Sequence, residues 1–137
     1  MKMHRWVFAP IIGVFLFAFP LLAAQQQVPE RAEDPFLEGL ALVAMEEYEK
    51  AIPYFEEAVK KGLKKDPLYA AKAYFWIGYC CWEIGRYTKA IEAFKQAIRI
   101  KPDLAEAHYN LGVAYDELGR YREAIEAYKQ AIRIKPD

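Results

Sequence analysis

A stretch near the end of the chain occurs twice, almost letter for letter. The segment GRYTKAIEAFKQAIRIKPD, which begins at Gly85, recurs 34 residues later as GRYREAIEAYKQAIRIKPD, beginning at Gly119. A period of 34 residues is typical of solenoids in which pairs of short helices bury their apolar faces only against neighbouring pairs. The repeat therefore predicts an all-α solenoid built from helix-turn-helix units.

Local signals divide each unit into two helices. In the last unit, apolar residues recur at helical spacing over residues 104–118, which predicts a first helix there. Gly119 is expected to end this helix, because glycine readily takes the left-handed conformation that closes a helix. A second helix is expected over residues 121–134, before Pro136 stops it. The middle unit follows the same division, with helices expected over residues 68–84 and 87–100.

Seven residues in each of the two units carry a recognisable sequence pattern. They are Tyr74, Ile77, Gly78, Ala90, Phe94, Ala97 and Pro102 in the middle unit, and Leu111, Gly112, Tyr115, Ala124, Tyr128, Ala131 and Pro136 in the last. Their pattern resembles that of the tetratricopeptide repeat family, although Cys81 stands where the family usually has an aromatic residue. The resemblance implies a right-handed superhelix of about three units, whose first helices line a concave groove that binds peptides or helices.

A less regular unit precedes these two and covers about residues 32–65. Its packing residues in register are Gly39, Tyr48, Ala51, Phe55 and Ala58. Pro35 and Glu38 depart from the family pattern. Five extra residues fall before the middle unit, and the lysine run there is expected to be a helix end capped by Gly62. The repeat domain is thus expected over residues 35–137, with units at about 32–65, 71–104 and 105–137.

The first 24 residues have the layout of an export signal. Lys2, His4 and Arg5 make the start positive. An uncharged run follows over residues 6–22, and two alanines then offer a cleavage site. The segment is either a cleaved signal peptide or a membrane anchor through residues 6–24, since its length approaches the roughly 20 residues that cross a bilayer. Residues 25–34 are expected to form a linker, and the folded part is expected in the periplasm or cell envelope.

Composition argues against an enzyme. The chain has no serine and 2 histidines, which excludes a serine nucleophile and leaves no histidine-rich metal site. Cys80 and Cys81 are adjacent and offer neither a disulfide framework nor a zinc spacing. Their apolar neighbours favour a role as core filling over a redox role. A net charge of zero gives no general attraction to nucleic acid. We expect a non-enzymatic protein without cofactor or metal.

The candidate binding site lies on the first helix of each unit. The helix around Phe75, Tyr79 and Trp82 is apolar all round, and such a helix is either buried or a contact surface. The resemblance places these aromatics and their counterparts in the concave groove. The full set is Phe36, Leu40, Val43, Phe75, Tyr79, Trp82, Tyr109, Asn110, Val113 and Asp116. Two interpretations stay open: the aromatics anchor a protein partner, or they only seal a small array or lie under the N-terminal segment.

The expected function is a scaffold for protein–protein interaction in the cell envelope, which binds a peptide or helix in this apolar groove. The alternative is a self-associating structural module whose apolar surfaces drive oligomerisation. Residues 134–137 repeat the link that follows the middle unit, with no polar capping helix after them. The last unit is therefore expected to stack on another chain, unless the natural protein continues past Asp137.

Overall fold

The computed structural model describes residues 34–137. Its helices are α1 (Pro35–Ala44), α2 (Tyr48–Lys65), α3 (Pro67–Glu83), α4 (Tyr87–Ile100), α5 (Ala105–Glu117) and α6 (Tyr121–Ile134). No strand occurs among these residues, and the expected all-α repeat fold is confirmed. None of these helices combines the length and apolar character needed to cross a bilayer. The expected leader over residues 1–24, and nearly all of the expected linker over residues 25–34, lie outside the described part of the chain.

The turns inside the units share one geometry. Gly85 and Gly119 take φ angles of 76° and 70°, just after α3 and α5 end. The amide of the next residue then donates to the carbonyl five residues back, at 2.8 Å after Gly85 and 2.9 Å after Gly119. Glu46 takes a φ of 60° at the equivalent place in the first unit, a conformation that costs a non-glycine residue about 1 kcal/mol. The less regular first unit therefore keeps the turn of the other two.

Two first helices begin with the same pair of residues, Asp-Pro. The carboxylate of Asp34 accepts a hydrogen bond from the amide of Phe36 at 3.0 Å, which satisfies a free donor at the start of α1. Pro35 follows at the first helical position, where its missing N–H costs nothing. Asp66 and Pro67 start α3 in the same way. The departure of Pro35 from the family pattern is thus explained by its role as a helix start.

The extra residues of the first unit lengthen a helix. α2 has 18 residues, whereas α4 and α6 have 14 each. The expectation that Gly62 caps a helix end is wrong, because Gly62 lies inside α2 and is buried. A Cβ at this position would lie 2.7 Å from the backbone nitrogen of Ala70, so Gly62 allows the close approach of α3. Lys64 and Lys65 do occupy the last turn, where positive charge faces the free carbonyls.

A glycine of each first helix lies against an aromatic ring of the second helix in the same unit. The pairs are Gly39 with Phe55, Gly78 with Phe94, and Gly112 with Tyr128, and a Cβ at the glycine would lie 2.7, 2.6 and 2.6 Å from the ring. Non-bonded carbon atoms do not pack at such distances, since their optimal separation is about 3.5–4.0 Å. Glycine is therefore what allows the two helices of a unit to pack this closely.

The helices form two layers. Each helix packs against the helices before and after it in the chain, and α3 also touches α5. The second helices α2 and α4, in contrast, flank an open groove of about 750 Å³. First helices that touch and second helices that stand apart indicate an array that curves toward its first helices. The first helices therefore make up the inner face, and the second helices make up the outer face.

The two cysteines are part of the core. Cys80 is 0% exposed and Cys81 is 3% exposed, and both are free thiols. Burial, with a smaller effect of the neighbouring Cys81 and Glu83, raises the pKa of Cys80 to about 12. Burial also raises the pKa of Cys81. Thiols that stay protonated are poor nucleophiles, and this placement supports the core-filling interpretation.

We predict that both thiols resist alkylation in the folded chain. At about pH 8, roughly a quarter of an exposed cysteine is ionised, whereas a pKa of about 12 keeps Cys80 protonated. Iodoacetamide should modify Cys80 and Cys81 roughly a hundredfold more slowly in the native chain than in guanidinium chloride, as measured by mass spectrometry. Modification of either thiol at the denatured rate would contradict the buried placement.

Candidate protein-binding site

The central helix of the array, α3, carries the densest group of aromatic side chains. It lies between α2 and α4, and charged residues occur in it only at Lys72 and Glu83. Its small residues are buried: Ala70, Ala71, Ala73, Gly78, Cys80 and Cys81. Its aromatic residues are half-buried: Tyr69, Tyr74, Phe75, Trp76, Tyr79 and Trp82. The helix is apolar all round because the small residues let neighbouring helices approach while the large rings fill the edges of these contacts.

Four aromatic side chains form a continuous row between the first and middle units: Tyr48, Trp76, Tyr79 and Trp82. The ring of Tyr79 lies at the centre of this aromatic row, with centroid distances of 6.1 Å to Tyr48, 5.5 Å to Trp76 and 6.4 Å to Trp82. Aromatic pairs at such distances each contribute about 1 kcal/mol beyond the area they bury. Because these rings already pack on one another, the row is preformed before any partner binds. The sequence pattern predicts Tyr79 and Trp82 as site residues, but not Tyr48 and Trp76.

The polar atoms of the aromatic row differ in their surroundings. The carboxylate of Glu83 and partial burial raise the pKa of the Tyr79 phenol to about 12. The Nε1 atom of Trp82 is buried and has no hydrogen-bond partner. The Trp82 side chain packs against the core cluster that contains Phe94 and Leu111. Trp82 is thus packed into the core more than a freely accessible groove residue would be.

The first-unit residues of the candidate set lie against their own unit. Phe36, Leu40 and Val43 are half-buried and pack on the cluster of Ala51, Phe55 and Cys80. The Phe36 ring lies 5.6 Å from the Phe55 ring and 5.3 Å from the ring of Tyr69. Tyr69 also donates a hydrogen bond to the Asp34 carboxylate that caps α1. Phe36, Leu40 and Val43 therefore take part in the packing of α1 against α2.

An opening of about 400 Å³ lies where the middle unit meets the last unit. We call it the C-terminal opening, and it is lined by Phe75, Ala105, Glu106, Tyr109, Asn110, Ala131, Ile132, Lys135 and Asp137. It brings together Phe75, Tyr109 and Asn110 from the candidate set. Tyr109 is 56% exposed and Ile132 is 62% exposed. The sequence pattern does not predict Ile132 as a site residue, because the pattern indicates a site on first helices and Ile132 belongs to a second helix.

Polar groups lie at the edge of the C-terminal opening. The side-chain amide of Asn110 donates to the carbonyl of Glu106 at 3.0 Å, one helical turn earlier. The ammonium of Lys135 lies 3.8 Å from the carboxylate of Glu106. Both groups of this ion pair are well exposed, so the pair contributes little to stability. The opening therefore has apolar walls and a polar, solvated edge.

The remaining two candidate residues have separate roles. Val113 is half-buried, whereas Asp116 is exposed and accepts a hydrogen bond from the hydroxyl of Tyr128 at 3.0 Å. Burial and this hydrogen bond raise the pKa of Tyr128 to about 12. The Tyr128 ring lies 5.6 Å from the Tyr109 ring. Asp116 thus helps to hold Tyr128 where it supports Tyr109.

The helical array is similar to known proteins in both sequence and structure. Residues 36–105 and residues 105–137 match family models described as tetratricopeptide repeat. A search of curated proteins finds no match. Among solved structures, the chain is similar to MamA, with 31% identity, a TM-score of 0.66, and coverage of 83% of this chain and 64% of MamA.

Two further structures extend this likeness. YrrB, described as a TPR protein with an unusual peptide-binding site, is 30% identical with a TM-score of 0.67, and 75% of this chain aligns with 50% of YrrB. The TPR domain of Arabidopsis FLU is 26% identical with a TM-score of 0.72, and 80% of this chain aligns with all of that domain. The chain spans less than two thirds of the length of MamA and YrrB. The helix pairs, their period and these matches agree, and the chain belongs to the tetratricopeptide repeat family.

Proposed function

We propose that this chain is a non-enzymatic scaffold that holds an apolar stretch of a partner protein against its inner face. The C-terminal opening is the observation that carries the proposal. Exposed aromatic side chains beside a preformed apolar recess are typical energetic centres of protein interfaces. Tyr109 and Phe75 supply the aromatic surface here, and Ile132 supplies an aliphatic wall.

The chemistry of the opening indicates the kind of segment it accepts. Its volume of about 400 Å³ suits one or two large apolar side chains. The backbone of such a segment would meet the polar edge, where Asn110, Glu106 and Lys135 provide donors and acceptors. We therefore propose a peptide or helix that inserts an aromatic or aliphatic anchor. YrrB, a TPR protein with a peptide-binding site, supports this class of partner.

The aromatic row extends the proposed contact surface toward the first unit. Its side chains are half-buried and already packed on one another. A partner that lies over them would lose little side-chain entropy in the scaffold, since the rings do not need to be ordered on binding. In this proposal the opening provides the anchor point, and the aromatic row provides a flat apolar surface beside it.

Tyr109→Ala is the variant that tests the proposed anchor. Tyr54 offers a matched control, because it is 41% exposed but lies on the second helix α2. Peptides selected from a displayed library on the immobilised wild-type chain should share apolar anchors. Their Kd should rise roughly 30-fold with Tyr109→Ala, the effect of losing about 2 kcal/mol at an interface centre. Tyr54→Ala should leave the Kd unchanged.

Circular dichroism provides the control for folding in this experiment. Tyr109 is exposed, so the helical content of Tyr109→Ala should equal that of the wild-type chain. Equal peptide binding by Tyr109→Ala and the wild-type chain would contradict the anchor role. A selection that enriches only charged peptides would contradict the proposed partner chemistry.

We further propose that the scaffold works outside the cytoplasm, in the periplasm or cell envelope. The support is the positive start and uncharged run of residues 1–24. Fusing residues 1–34 to an alkaline phosphatase that folds only after export should give active enzyme in intact bacteria. Leu16→Arg, which places a charge inside the uncharged run, should abolish that activity. An inactive wild-type fusion would contradict this location.

A further inference from the structure

The second helix of the last unit presents a face that is covered in the middle unit. α6 repeats the sequence of α4 with few changes, yet Ile125 of α6 is 51% exposed while its counterpart Ile91 of α4 is 4% exposed. Tyr121 is 65% exposed, whereas its counterpart Tyr87 is half-buried. The helix α5 packs against α4, and the described residues contain no equivalent helix after α6. We call the face of α6 that carries Tyr121 and Ile125 its outer end. It is exposed, whereas the equivalent face of α4 is covered by α5.

The first helix of the first unit presents the other half. Ala41 of α1 is exposed, although its counterparts in the later first helices, Cys80 and Ala114, are both 0% exposed. Cys80 belongs to a core cluster with residues of α2, the preceding second helix. Leu37, four residues before Ala41, and Met45, the C-cap residue four residues after it, are 47% and 65% exposed. Among the described residues, no second helix precedes α1 to cover it as α2 covers α3 and α4 covers α5.

We infer that copies of this chain associate head to tail, with the outer end of α6 of one copy covering α1 of the next. The repeat itself indicates a second copy of the chain as the partner. The α1 of one copy has the shape of the first helices that pack on second helices, and the α6 of another copy has the shape of the second helices that they pack on. The contact would reproduce between chains the packing that joins α2 to α3 and α4 to α5 within the chain. This inference goes beyond the proposed function and is centred on Tyr121 and Ile125, which do not line the C-terminal opening.

Charge supports the same orientation. Residues 34–47 contain four acidic residues and no lysine or arginine. Residues 120–135 contain five basic residues and two acidic ones. Complementary charge favours contact between unlike ends, whereas α6 against α6 or α1 against α1 would bring like charges together. Because the two contacting surfaces differ, the association does not close on itself in a dimer and can continue into longer assemblies.

A pair of cysteine variants tests the orientation directly. Ala41→Cys marks the outer side of α1, and Ile125→Cys marks the outer end of α6. The chain of residues 1–137, purified in mild detergent, is treated with a short bismaleimide as separate variants and as an equal mixture. We expect crosslinked dimers in the mixture and not in either variant alone. The wild-type chain should stay uncrosslinked, because its thiols are buried.

Sedimentation velocity provides a second, independent measurement. Ile125→Glu should weaken self-association of the chain of residues 1–137 roughly tenfold or more, since it places a charge in the centre of the contact. Leu63→Glu is the matched control, because Leu63 is 56% exposed on α2 and away from both ends of the array. It should leave association unchanged.

Three outcomes would overturn the inference: crosslinking of each variant with itself, sedimentation of the wild-type chain as a monomer at all concentrations, or equal association of Ile125→Glu and the wild-type chain. None of these outcomes bears on peptide binding at Tyr109, so the proposed function is tested separately.

Discussion

The contact between a first-helix glycine and a second-helix aromatic ring determines the shape of every unit. In the middle unit it joins Gly78 to Phe94 at a distance that leaves no room for a Cβ atom. Because the last unit repeats the same pair of residue types, its two helices take the same spacing. Units of equal shape stack with a constant offset, which brings the first helices together on the inner face. The aromatic row and the C-terminal opening are both consequences of that arrangement.

The same physics leaves apolar surface at the ends of the array. A unit of two short helices buries its apolar residues only against a neighbouring unit, and in the described array Leu37 of α1 and Ile125 of α6 are exposed. Ile132 lies near the C-terminal end of α6 and lines the C-terminal opening. Partner binding at this opening and self-association through Tyr121 and Ile125 are distinct proposals on different parts of α6.

Much of the fold could be predicted from the sequence because its signals are local. The 34-residue repeat, the turn glycines and the helix-stopping prolines placed the helices of the middle and last units within one residue of their observed bounds. The prediction for Gly62 failed because glycine both ends helices and allows close packing, and only the approach of Ala70 distinguishes these roles. Helical spacing also grouped Trp82 with Tyr109. Their burial differs because Trp82 packs against the core cluster while Tyr109 lies at an uncovered edge.

Helix spacing in each unit requires glycine at the aromatic contact. Chemical denaturation of Gly78→Ala tests this requirement most directly. In a helix interior, replacing glycine with alanine normally raises stability by up to about 1 kcal/mol. At Gly78 the added methyl group would meet the buried Phe94 ring at 2.6 Å. Overpacking of this kind costs about 1–3 kcal/mol, so we expect Gly78→Ala to have a lower free energy of unfolding than the wild-type chain. A free energy of unfolding that rises in Gly78→Ala would contradict it.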